Sequence, residues 1–193
     1  MKGLRIMVAA LLLGMASGCA SFSPYSIDEA TVQGHLAEQI QNVSRDIQAS
    51  GLPITLQLNQ ADVAIGPDNR EIVVIDFAGK AILQVPRVPI DIRFSVEGKP
   101  EYEPEEKAIY VRNVKLLSSE IEAAGSAFNL SPLKGTLSDF ASQLLNENPV
   151  YRLDEDDGAA RLFGMMNLKV AIKPGRIALV PAGSDEEVQR PVR

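Results

Sequence analysis

Tryptophan is absent from the 193 residues, cysteine and histidine occur once each, and aromatic residues make up only 5%. One cysteine permits no disulfide framework, and one histidine beside it builds no Cys/His metal cluster. So few aromatics leave little from which to make a base-stacking platform. Basic residues (19) fall short of acidic ones (25), for a formal charge of −6. A phosphate-backbone partner needs clustered Lys and Arg, so no nucleic-acid partner is expected. Long hydrophobic runs are scarce as well. The one at Ile6 to Leu13 is too short for a bilayer, which takes about 20 residues in a helix. What is present is a 46% hydrophobic composition, too apolar for a disordered chain, in a length that suits one domain with a real core.

The first residues have the order of an export signal: Lys2 and Arg5, the apolar run, then the small residues around Gly14, Ala16 and Gly18. Cys19, the only cysteine, follows directly. Ala16-Ser17-Gly18-Cys19 resembles the lipobox of bacterial lipoproteins, although Ala16 stands where that pattern prefers a larger aliphatic residue. The resemblance implies cleavage before Cys19, a diacylglycerol on its thiol and acylation of the new amine. Several acyl chains hold a protein on a membrane where one binds only marginally. Ala20, in place of an Asp, implies by the same resemblance sorting to the outer membrane, facing the periplasm. The expected organisation is a signal peptide at 1–18, a lipidated tether at 19–25, a single domain at 26–181 and a charged tail at 182–193.

Within the domain, Ser26 to Glu29 has capping-box spacing, and Val32, Leu36, Ile40, Val43 and Ile47 recur at steps of three and four. This predicts one long helix to about Ala49, stopped by Gly51 and Pro53. The period then changes. Ile54, Leu56 and Leu58 alternate with polar residues, and Ala61, Val63 and Ile65 continue in the opposite phase, which predicts a bulged, bent strand. Further strands are expected at 71–78, around Val88 to Val96 and at 108–122, with turns at 66–69 and 100–107. The prolines at 86 and 89 suit an edge or a bend. A second, amphipathic helix is expected from Ser131-Pro132 through Leu133, Leu137, Phe140, Ala141, Leu144 and Leu145 to Asn148-Pro149. A short strand at 150–153, a short helix at 159–164 and a hairpin turning at Pro174-Gly175 complete the reading. The expected fold class is α+β, with a long N-terminal helix along a curved antiparallel sheet.

Tyr25-Ser26-Ile27 after a lipobox, Lys107 to Val111 after an acidic turn, Asn148 to Tyr151 after a helix, and the closing Val170 to Ile177 hairpin resemble the YceB-like bacterial lipoproteins, a family without assigned activity. The likeness spans roughly residues 19–181, and its motifs are structural. It implies a fold similar to the tubular lipid-binding (TULIP-like) proteins, whose ligands are lipids or other apolar molecules held between helix and sheet.

Nothing in the residues singles out catalysis. His35 has no local partner as a base or ligand, no Gly-x-Ser-x-Gly elbow occurs, and no pair of carboxylates stands apart by spacing. In Asp154 to Gly158 the glycine falls one position early for a calcium loop, so the run reads as a solvated acidic turn. No enzyme activity, metal or cofactor is expected. The candidate ligand-lining residues are Leu36, Ile40, Val43 and Ile47 on the first helix, with Leu137, Phe140 and Leu144 on the second. From the sheet come Val73, Ile75, Phe77, Val88, Ile90, Ile92 and Phe94. The expected function is an outer-membrane lipoprotein binding a lipid or other apolar molecule. The alternative is a closed-core structural or adaptor lipoprotein that docks an envelope protein.

Overall fold

A computed structural model of the chain describes residues 25–41, 43–49, 52–84, 87–122, 131–153 and 167–182. It is mostly β. Strands β1 (Tyr25–Asp28), β2 (Ser44–Ala49), β3 (Leu52–Ile65), β4 (Val73–Gln84), β5 (Arg87–Glu103), β6 (Ala108–Glu122), β7 (Tyr151–Arg152), β8 (Leu168–Lys173) and β9 (Arg176–Pro181) accompany two helices, α1 (Glu29–Ile40) and α2 (Ser131–Glu147). One antiparallel sheet has the order β2-β3-β4-β5-β6-β7, and a second the order β1-β9-β8.

The expected α+β fold with a long first helix is therefore wrong. The helix has 12 residues and ends at Ile40, and residues 44–49 form a strand on the edge of β3. Val43 and Ile47 sit four apart, as a helix requires, but Val43, Ile47 and Ala49 also fall on one face of a strand, interrupted by Arg45. Ser and Asn are weak helix formers, and the hydrogen-bonding edge of β3 decides the ambiguity. Two further bounds differ. β4 runs on to Gln84, and β5 reaches Glu103 before the turn that was expected from Pro100.

The strand chemistry is otherwise as the pattern implies. β3 shifts register between Leu58 and Gln60, so Asn59 is the extra residue, and the six apolar residues on either side of the flip are all buried. β5 is central, yet its prolines are accommodated. Pro89 pairs with β4 before β6 begins, at Asp91, and Pro100 pairs with β6 after β4 has ended, at Gly98. Each proline therefore has a paired strand on one side only, which is where a sheet tolerates a residue without an N–H.

The six-stranded sheet is curled. Helix α2 lies against β6 and also against β2, four strands away in the sheet order. In a flat sheet those strands would stand about 19 Å apart, whereas a helix with its side chains is about 10–12 Å across. Helix α1 likewise touches both β3 and β7. The two helices thus close the gap between the sheet's edges. The three-stranded sheet caps one end, its tip tied down where Gly175 N–H donates to Ile65 O at 2.8 Å.

Candidate functional site

The residues expected to line a ligand fall mostly on the concave side of the curled sheet and on the helices against it. Alternation along β4 and β5 turns Val73, Ile75, Phe77, Ile90, Ile92 and Phe94 inward, where all are buried. Phe77 and Phe94 face each other across the two strands with ring centroids 5.2 Å apart. Leu36 and Ile40 on α1 and Leu137, Phe140 and Leu144 on α2 are buried in the same core. Val43 and Val88 are half-buried and pack at its margin. Ile47 is placed on β2 opposite Ile54, and its side chain lies outside the described residues, as does Cys19. The calcium-tested run at 154–158 and the helix expected at 159–164 also lie outside them.

The structure thus gathers the predicted residues into one apolar interior. Among the described residues no polar or charged residue is fully buried there. The interior is filled by α2 itself: Leu137 is fully enclosed and Phe140 is only 4% exposed. Arg112 fastens the C-terminal end of this helix, donating to Asn146 O at 2.9 Å while its guanidinium stacks over the Tyr110 ring.

Polar groups collect at the seam where α1 meets β7. The Tyr25 and Tyr151 hydroxyls are 2.7 Å apart, and His35 meets the Tyr151 ring edge-on at 5.1 Å. Gln39 donates to Pro149 O at 2.7 Å, and its own carbonyl oxygen is buried without a partner. Sequence reasoning found no partner for His35, because Tyr151 is brought to it only by the closure of the sheet. Tyr102, on β5, also buries its hydroxyl without a partner, and burial raises its pKa. Tyr110 is raised as well, chiefly because its hydroxyl donates to the Glu106 carboxylate.

Two further features escaped the pattern analysis. The convex face of the sheet carries an open cleft of about 250 Å³, edged by Gln60, Asp62, Asp76, Arg93, Ser95, Ser118 and Glu120. Its side chains answer one another: Gln60 donates to Asp62 at 2.7 Å, and the Ser95 hydroxyl to Asp76. Among the described residues no group of three or more His, Cys, Asp or Glu side chains is arranged to hold a metal ion. The second feature is β6, whose outer edge is paired by β7 only at Ala108 and Ile109. The β5–β6 ladder shifts register twice, between Arg112 and Lys115 and again between Leu116 and Ser118, and the doublets Leu116-Leu117 and Ser118-Ser119 are the sequence signal that marks the latter bulge.

No described helix is long and apolar enough to cross a membrane. A family model described as "Protein of unknown function (DUF1439)" matches residues 27–176. No curated protein matches the chain.

Proposed function

We propose, from the premise that the chain belongs to the DUF1439 family of unknown function, that it is a lipid-anchored envelope protein taking a lipid or similar apolar molecule into the trough of its curled sheet. The anchor is Cys19. The lipobox-like residues before it and the likeness to YceB-like lipoproteins support that role, and Ala20 supports the periplasmic face of the outer membrane. The observation that carries the reading is a helix bridging the two sides of a trough whose buried residues are all apolar. An acyl chain entering beneath α2 would exchange one set of apolar contacts for another and would break no buried polar contact there. Each methylene it buries is worth about 0.8 kcal/mol. The Arg112–Asn146 contact at one end gives the helix a point about which to shift.

A second reading has its own observation. Leu133, Leu137, Phe140 and Leu144 are buried by the folded chain alone, which suits a permanently closed core that serves as a structural or adaptor domain.

Native mass spectrometry of the chain carrying Cys19→Ser, purified without detergent, separates the two. A stoichiometric adduct that yields a phospholipid or fatty acid on extraction is the expected result. A bare mass, unchanged after incubation with envelope lipids, would favour the closed core.

A further inference from the structure

Strand β6 is bound to β5 along its length, yet beyond Ile109 its other edge has no strand beside it among the described residues. An exposed edge of this kind is a template for another strand. Its chemistry is specific. Leu116 pairs with Val96 and Ser118 with Ser95, so Leu117 is an extra residue with no partner on β5. Leu117 is 49% exposed and is the one exposed large hydrophobic among the described residues.

The bulge also inverts the alternation. Before it, Val114 and Leu116 lie on the core side; after it, Ser119 and Ile121 do, opposite the inward-facing Phe94 and Ile92. On the convex side, Lys115 precedes the bulge and Glu120 follows it. Lys115 has no ion pair among the described residues, and Glu120 reaches only Arg93, at 4.0 Å, with both side chains well exposed.

We propose that β6 pairs antiparallel with β6 of a second copy of this chain, about a two-fold axis between Leu117 and Ser118. In that register Lys115 of each copy faces Glu120 of the other, Val114 faces Ile121, Leu116 faces Ser119, and Leu117 faces Ser118 beside the axis, so the two Leu117 side chains are diagonal neighbours across it. Directly opposed residues in an antiparallel pair share a face. In a regular strand this register would set core-side residues against convex-side ones. The extra residue at Leu117 removes that conflict. A symmetric dimer needs one patch that complements itself, and the separation of Lys115 from Glu120 along the strand supplies it. A parallel pairing in the same strand would instead oppose like charges. The dimer is independent of what the interior holds.

The test is sedimentation velocity of the full chain carrying Cys19→Ser, over a range of concentrations. A dimer is expected, weakened roughly tenfold or more by Lys115→Glu, since two symmetry-related attractions become repulsions. The double variant Lys115→Glu/Glu120→Lys should restore it. Both side chains are exposed, so the variants keep the fold, which circular dichroism would verify. Leu117→Cys in the same background should form an intermolecular disulfide under mild oxidation, whereas Asn69→Cys, in the β3–β4 turn, should not. A monomer at every concentration, or a dimer indifferent to both charge changes, would overturn the proposal.

Discussion

Among single residues, two glycines have opposite reasons to be there. Gly79, on β4, faces the bulge in β3, and a Cβ at this position would come within 2.1 Å of Gln57 O, a backbone atom that has no room to yield. Gly34 is exposed on α1, and a Cβ there would meet nothing within 4 Å. Gly79→Ala should therefore destabilise the protein by about 1–3 kcal/mol, as overpacking does. Gly34→Ala should stabilise it by about 1 kcal/mol, the difference in helix propensity. Chemical denaturation of the two variants beside the parent checks both signs. The sequence shows why Gly34 is costly, because its helical neighbours are plain. It does not show that Gly79 is required, because the close approach of Gln57 exists only once β3 and β4 are paired around Asn59. The same limit hid the partner of His35, which lies 116 positions away along the chain at Tyr151.

At the scale of elements, strands were more legible than helix length. Alternating burial along β4 and β5 follows directly from alternating sequence, and the phase flip in β3 announces its bulge. The stretch 41–49 satisfies both periods, so local pattern could not decide it, and the free edge of β3 did. The two-residue β7 and the four-residue β1 are too short to carry a period and are defined by what they pair with. Helix α1 is also started differently from its capping-box spacing. Asp28 is the N-cap and accepts from Thr31 N–H at 2.8 Å, while Glu29 reaches across to accept from Ile65 N–H at 2.8 Å. The bonds from Thr31 hold the Asp28 carboxyl below its usual range. A lowered folded-state pKa contributes stability that is present above the unfolded value and is lost as pH falls through the folded one. Asp28→Ala should thus lower the melting temperature at neutral pH. The gap to the parent should close in acid, once the carboxyl is protonated in both folded and unfolded chains. Asp28→Asn should keep much of the cap but lose this part of the pH dependence.

For the whole molecule, the decisive feature is one the sequence did not contain in readable form: the sheet closes on its own helices. The list of inward residues was legible from periodicity, and every described member is buried or half-buried in one core. That α2 fills the trough could not be read, because an amphipathic helix has the same pattern whether it covers a sheet or is wrapped by one. The lack of tryptophan makes the remaining question measurable, since Phe140→Trp, on the buried face of α2, would be the only indole in the protein. A large-to-larger aromatic change strains the site modestly, so a melting curve must first show the variant folded. Its emission in buffer should then be that of a buried ring. If α2 lifts to admit an acyl chain, vesicles containing brominated phospholipid should quench that emission, because bromine must come close to the ring to act. Exposed Glu101→Trp on β5 separates mere surface contact from entry: quenching there alone means the membrane touches the domain without opening it. Quenching at Phe140→Trp, saturating at one lipid per chain, is the result expected of a protein that carries an apolar ligand beneath α2. An emission that vesicles leave unchanged would instead make the curled sheet a closed frame, and its outer edge the part that works.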